Sequence, residues 1–366
     1  MNTLAAIFRH YGPAYREQCG EHLPAGQRAA MAAIEQCRTE ALGGHVYTCP
    51  ACATVRYSYH SCRNRHCPTC QQGQAQTWLI RQQELLLPVP YFLVTFTLPA
   101  QLRSLARQHQ RRIYALLFRS SATALQQLAA DPRFLGGQIG MVGVLQTWTR
   151  DLRYHPHIHY LVPAGALAPD GAHWLGAKGR FLVHVKPLAK LFRGKVRAGL
   201  RQLRLEAEVP SETWSTSWVV DCRPVGRGQA ALKYLAPYIF RVALSNNRIV
   251  GVAHDHVTFR YRLAETKQTK TCTLPAVTFI RRFLQHVLPR GFVKVRYYGL
   301  FSPGKRSVLA QVRAVLARVI PPPQAPAVSR PGATPPPSYQ CPACGTVMEL
   351  AQVLRPRSRS PPRPLR

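Results

Sequence analysis

The stretch His155-Pro156-His157-Ile158-His159-Tyr160-Leu161-Val162 carries the fold of this chain. Side chains of a strand alternate between its two faces, so His157 and His159 point the same way while Ile158 turns into the core behind them. Two imidazoles so spaced chelate one divalent ion. His155 shares their parity, but Pro156 and the adjoining turn leave its direction open. A two-histidine site needs another oxygen or nitrogen ligand. Asp151, Asp170, Gln146, Asn246 and Asn247 are the candidates.

Upstream, Gly140 to Thr149 is a second strand, joined to the first by a short polar connection, which predicts an antiparallel hairpin with a third arm at residues 173–186. Tyr91 to Leu98 is a further β-rich run bounded by prolines, and residues 101–129 switch to a long helical pattern. Downstream the pattern predicts a basic helix from Leu188 to Glu208, a strand from Trp214 to Val220 and a helix from Gly228 to Leu244. A strand at Val257 to Arg262, a helix at Ala276 to Leu288 and a basic strand at Phe292 to Tyr298 follow. Helices and antiparallel arms mixed in this way give an α+β fold class.

In Ala230-Ala231-Leu232-Lys233-Tyr234-Leu235-Ala236-Pro237-Tyr238-Ile239-Phe240-Arg241, the phenols of Tyr234 and Tyr238 stand one helical turn apart and share a face. Such a pair is ordinarily core packing, and Pro237 removes a hydrogen bond and kinks the axis. Beside a metal-holding histidine pair the phenols take on chemistry. A phenol attacks a scissile phosphate and leaves a 5′-phosphotyrosine with a free 3′-OH, and two phenols allow two successive transfers.

Cys49-Pro50-Ala51-Cys52 is followed after fourteen residues by Cys67-Pro68-Thr69-Cys70. Two such turns at this separation predict a tetrahedral zinc site with Cys49, Cys52, Cys67 and Cys70 as preferred ligands. His45, His60, Cys62 and His66 lie close by, so the ligand set is not unique and a second zinc has donors available. Cys19, Cys37, Cys222 and Cys272 stand alone and read as buried apolar thiols. Cys341-Pro342-Ala343-Cys344-Gly345 repeats the knuckle once, with no second pair near it in sequence. It reads as half a site, dimerising or a remnant. Arg56, Arg63, Arg65 and the interleaved Tyr57 and Tyr59 could grip phosphates and stack on bases.

Lysines and arginines number 49 against 15 acids, a formal charge of +34, and after Glu265 the sole acid is Glu349. Such an excess repels itself unless it meets a polyanion, and nucleic acid is the expected partner. No apolar run has the length of a membrane span, and eleven cysteines gathered mostly in Cys-x-x-Cys pairs favour bound metal in a reducing cytoplasm. Residues 320–338 are proline-rich and read as an extended linker, and the tail after Leu354 is Arg, Pro and Ser without an acid. The expected division is a helical lead-in, zinc module and connecting helix over 1–88, a nuclease domain over 89–319, the linker, and a knuckle with a disordered basic tail over 339–366.

His157-Ile158-His159 with Tyr234-x-x-x-Tyr238, preceded by Ser61-Cys62-Arg63-Asn64-Arg65-His66-Cys67-Pro68-Thr69-Cys70-Gln71, resembles the two-tyrosine HUH transposases of bacterial rolling-circle insertion sequences, the insertion sequence ninety-one family. Ala41 to Tyr47, Ser245 to Ile249, Phe259 to Arg262 and Phe283 to Gly299 are similar as well, so the resemblance covers about residues 1–300. It implies an HUH endonuclease core, an antiparallel sheet flanked by helices with the tyrosine helix laid across it. It also implies Tyr234 and Tyr238 as nucleophiles, His157 and His159 as ligands of catalytic Mg2+ or Mn2+, and a structural Zn2+ in the N-terminal module. The implied partners are hairpin and single-stranded element ends and target DNA in the bacterial nucleoid, with Arg63, Arg65, Lys233, Arg241, Lys294 and Arg296 as DNA-contacting residues. A rolling-circle replication initiator or relaxase, and a non-catalytic zinc-finger DNA-binding protein, are the competing readings.

Overall fold

A computed structural model describes residues 2–70, 78, 82–83, 85–177, 181–227, 230, 232, 243–263, 266, 268–319 and 339–357. The N-terminal part has helices α1 (Leu4–Cys19) and α2 (Ala25–Glu35), then strands β1 (Gly44–Thr48) and β2 (Val55–Tyr59). After it come β3 (Pro90–Thr97), helices α3 (Arg103–Gln108) and α4 (Gln110–Ala130), β4 (Gly140–Trp148) and β5 (Tyr154–Pro163). Short β6 (Gly165–Leu167) and β7 (Trp174–Gly176) precede α5 (Val185–Gln202) and β8 (Val220–Arg227). The chain continues through β9 (Ile249–Ala253), β10 (His256–Arg262), β11 (Thr269–Pro275) and α6 (Ala276–Leu284). Strand β12 (Val295–Gly299), α7 (Arg306–Val319) and β13 (Glu349–Leu354) close it.

The central sheet has five strands in the order β12-β4-β5-β3-β8, all antiparallel. Its middle strand is β5, the histidine strand. Strand alternation gives this sheet two apolar faces. Phe92, Val94, Phe96, Leu145, Ile158, Tyr160 and Val162 pack against α4 and α5, whose Ile113, Leu117, Phe192 and Val196 supply the opposing layer. On the other face Tyr91, Leu93, Val142, Val144 and Leu161 gather with Leu300, Leu309, Val312 and Leu316. His157 and His159 lie on this second face, in line with Leu161.

A second core joins segments far apart in sequence. Leu4, Ile7, Phe8, Met31 and Ile34 of α1 and α2 pack with Val257, Phe259, Phe279, Ile280 and Phe283 from the three-stranded sheet β11-β10-β9 and α6. Phe8 meets Phe283 edge to face, with ring centroids 5.5 Å apart. The N-terminal helices are thus a wall of a shared core with the region beyond residue 243 rather than a lead-in to the cysteine module alone.

Three expected elements differ. The strand expected at Trp214 to Val220 begins at Val220, because Pro210 starts a 3-10 turn over Ser211–Trp214 and Trp214 stacks on Trp218 at 6.0 Å. The arm at 173–186 shrinks to β7, which pairs with β6 apart from the central sheet. The long helical pattern over 101–129 breaks at His109, whose φ of −117° is not helical. The described residues after the proline-rich stretch, 339–357, include β13, which pairs with β1. Residues 320–338 and 358–366, read as linker and disordered tail, lie outside the described residues. Among the described residues, no helix is long and apolar enough to cross a membrane.

Candidate active site and cysteine clusters

Register sets the histidine site. Gln146 on β4 pairs with His157, and Thr95 on β3 pairs with His159. The carboxamide Oε1 of Gln146 lies 3.1 Å from the Nε2 atoms of both His157 and His159. His157 Nδ1 donates to the carbonyl of His155 at 2.6 Å. Thr95 Oγ1 holds His159 Nδ1 at 2.9 Å. These bonds turn both Nε2 atoms toward one point.

Burial pushes the His157 imidazole down to about 4, and burial, with His157 and the Arg223 guanidinium nearby, holds His159 well below its ordinary value. Both rings are therefore neutral, the form that ligates metal. In neutral His157 the only ring proton is committed to the His155 carbonyl, so its Nε2 lone pair faces the lone pairs of Gln146 Oε1. Imidazole nitrogens with a carboxamide oxygen form a donor set suited to a divalent ion.

Of the other candidate third ligands, Asp151 pairs with Arg153 at 2.7 Å and Asp170 with His173 at 2.6 Å. Asn246 accepts from the Leu4 amide at the start of α1. Asp221, which sequence reasoning did not single out, faces Thr95 from β8 on the histidine side of the sheet. The expected strand ended at Val220, where β8 begins, which left Asp221 outside it.

Tyr234, Tyr238, Lys233 and Arg241 lie outside the described residues. Their segment is represented by Ala230 and Leu232, both helical. Leu232 is buried beside Leu93, Val142, Val144 and Leu161, on the histidine face of the sheet.

The cysteines form two clusters, and the expected single site does not assemble. Cys37, Cys62, Cys67 and Cys70 make one group, and Cys49, Cys52, Cys341 and Cys344 the other, with all four sulfurs of each within 4.8 Å of one another. Four thiolates about 2.3 Å from one zinc stand about 3.8 Å apart. The observed Sγ separations of 3.4 to 3.6 Å match that size. Cys49 and Cys52 are thus separated from Cys67 and Cys70 because the hairpin β1–β2 puts one group at each of its ends. Cys37, read as an isolated apolar thiol, is a member of the first cluster. Among the histidines near the module, His60 bonds the Leu42 carbonyl and His66 accepts from the Leu288 amide.

Three of the expected DNA-contacting cations have other work. Arg65 donates to the carbonyls of Phe292, Leu288 and Pro289, tying the first cluster to the core. Lys294 lies over the Trp148 ring at 5.0 Å, and Arg296 over Phe118 at 4.4 Å and Phe292 at 5.2 Å. Arg63 is exposed, with a left-handed φ of 51°.

Two families match this chain: one described as "Transposase zinc-binding domain" over residues 7–98, the other as "Putative transposase" over residues 140–308. The protein "Putative transposase y4qJ" of Sinorhizobium fredii is 40% identical over 341 residues, 87% of this chain and 85% of that relative. The chain belongs to the IS91 family of transposases. The transposase for insertion sequence element IS801 of Pseudomonas savastanoi pv. phaseolicola is 27% identical over 287 residues, 73% of this chain and 68% of that relative. No solved structure matches the chain. As an IS91-family member it is a DNA-binding enzyme that cleaves and transfers strands. The zinc-binding domain contains the whole first cluster, which supports structural zinc there.

Proposed function

We propose that this transposase works as an HUH endonuclease in rolling-circle transposition, nicking single-stranded element ends with Tyr234 and Tyr238 and transferring the strand to a target. The observation that carries the reading is the convergence of His157 Nε2 and His159 Nε2, from the middle strand of an antiparallel sheet, with Gln146 Oε1 from the strand beside it. Leu232, at the start of the tyrosine segment, is buried on that same face, which supports a helix laid across the histidine side of the sheet.

His157, His159 and Gln146 would hold a catalytic Mg2+ or Mn2+, which when bound polarises the phosphate oxygens. The residues of the chain do the rest. A tyrosine phenolate attacks phosphorus, the bond to the 3′ oxygen breaks, and that oxygen leaves as the free 3′-OH with the proton the phenol gave up. The phosphodiester energy stays in the 5′-phosphotyrosine, so the second tyrosine or an incoming 3′-OH can reverse the exchange without ATP. Thr95 and the His155 carbonyl keep the two imidazoles aimed. The net charge of +34 draws single-stranded termini to this site in the cytoplasm, where the nucleoid supplies target DNA.

The purified protein with manganese should nick an oligonucleotide carrying the element end and migrate as a covalent adduct joined to the 5′ phosphate at the nick. Tyr234→Phe together with Tyr238→Phe should abolish the adduct. Persistence of the adduct in the double variant would refute the tyrosine assignment, and a bound but uncut substrate in the unaltered protein would favour the non-catalytic DNA-binding reading.

A further inference from the structure

The geometry points to a second structural zinc, held by Cys49, Cys52, Cys341 and Cys344, that clasps the C-terminal segment onto the N-terminal module and makes one zinc ribbon out of the two ends of the chain. The matched zinc-binding domain ends at residue 98, so half of these ligands lie far outside it. Cys52 and Cys341 are 289 positions apart in sequence, yet their sulfurs are 3.5 Å apart, and those of Cys49 and Cys344 are 3.4 Å apart.

The two halves are copies of one turn. Cys49-Pro50-Ala51-Cys52-Ala53-Thr54-Val55 and Cys341-Pro342-Ala343-Cys344-Gly345-Thr346-Val347 differ at a single place. Their backbones repeat the same bonds. The Cys49 amide donates to the Thr54 carbonyl at 2.9 Å, and the Cys341 amide to that of Thr346 at 2.8 Å. The amides of Ala53 and Gly345 donate back to the carbonyls of Cys49 and Cys341, each at 2.9 Å. The residue after each knuckle is left-handed, Ala53 at φ 55° and Gly345 at φ 76°. Each turn aims two sulfurs at one point, and the points coincide. Four thiolates in this arrangement are a closed zinc site, with no position left for a substrate.

Independent contacts hold the same two segments together. Strand β13 extends the hairpin to a sheet of order β13-β1-β2. Tyr339 packs on Tyr47 with centroids 4.4 Å apart, its hydroxyl lies 3.2 Å from Ser58 Oγ, and Arg56 covers its ring at 5.2 Å. Gly43 is shaped for the tail. It has a φ of 68°, and a Cβ there would come within 2.4 Å of the Leu354 carbonyl oxygen and 2.8 Å of the Pro356 nitrogen. The hairpin therefore carries a thiolate cluster at each end, separated by about 17 Å for five strand residues at about 3.3 Å each.

The test uses the full chain, purified under reducing conditions, with a site-specific protease sequence placed in the proline-rich segment. The unaltered protein should contain two zinc ions by elemental analysis, and C341S/C344S should contain one. After cleavage the C-terminal fragment should co-elute with the rest of the protein in gel filtration and come off when a chelator is added. Cys344→His, which keeps a ligand, should retain both ions and the fragment. One zinc in the unaltered protein, two in C341S/C344S, or a fragment that stays attached after complete chelation would overturn the clasp. The zinc left in C341S/C344S reports on the first cluster, so loss of the clasp is distinguished from a module that failed to fold.

Discussion

The hydrogen bond from Thr95 to His159 offers the sharpest test of the histidine site. Thr95→Val replaces the hydroxyl by a methyl of nearly the same shape and takes away the 2.9 Å partner of His159 Nδ1, while His157 keeps its bond to a main-chain carbonyl. Only one of the two imidazoles then loses its orientation. Removal of such an outer partner weakens metal binding by about 10- to 100-fold, which is about 1.4 to 2.7 kcal/mol. Stability should drop too, because a buried ring nitrogen left without a partner costs about 1 to 3 kcal/mol. Manganese titration followed by electron paramagnetic resonance gives the affinity, and nicking of a single-stranded end at saturating manganese separates affinity from chemistry. The expected result is a weaker Kd with activity largely restored by excess metal, and Thr95→Ser, which keeps the hydroxyl, should behave as the unaltered protein. A valine variant that binds manganese as tightly as the parent would refute the claim that this bond aims His159.

Two further expectations concern the sheet that carries the site. Gly143 on β4 sits under the Tyr160 ring, where an added Cβ would come within 2.4 Å of Cε1, and the Tyr160 hydroxyl is fixed by Ser121 Oγ at 2.8 Å. Gly143→Ala should therefore lower stability by about 1 to 3 kcal/mol in a denaturant titration, as overpacking of a tight core does, and an unchanged midpoint would mean the ring moves freely. His286 is buried between Thr147 and the Leu152 carbonyl, and burial pushes it down to about 3. A base depressed in the folded state binds its proton more readily when unfolded, so its contribution is intact above about pH 6.5 and is lost as pH falls from there toward 3. The slope is about 1.4 kcal/mol per pH unit for one group. Unfolding at pH 6.5 and pH 5.0 should thus separate the parent from His286→Gln by about 2 kcal/mol, and parallel loss in both would exclude His286 as a source of acid sensitivity.

Local patterning carried much of the fold in the sequence, and tertiary assembly hid the rest. Alternation in His157-Ile158-His159 correctly placed both imidazoles on one face, and β3, β4, β5 and β10 lie close to their expected runs. Gln146 was one of five candidate third ligands, and only cross-strand register shows that it stands opposite His157, because pairing partners are not encoded by the period of either strand alone. The start of β8 was missed since Trp214 and Trp218 have strand propensity yet stack on each other beside a turn opened by Pro210. Arg65, Lys294 and Arg296 read as phosphate contacts because charge is visible in sequence and the carbonyls and rings that engage them are not.

The cysteines show most clearly where linear reading stops. Spacing rules pair knuckles that are near in sequence, and by that rule Cys49-x-x-Cys52 belongs with Cys67-x-x-Cys70. Each knuckle instead chose the partner that the β1–β2 hairpin brings to its own end: Cys67 and Cys70 meet Cys37 and Cys62 beside the second core, and Cys49 and Cys52 meet the C-terminal knuckle. Loop closure explains why the longer connection is tolerated, for its entropy grows only with the logarithm of length, about 0.6 kcal/mol for each doubling, against four thiolate bonds to an ion. The near identity of Cys49 to Val55 with Cys341 to Val347 was legible throughout, and it is the stronger signal. Two copies of one half-site call for each other across any distance in sequence, whereas proximity along the chain says only which pairs are easy to close.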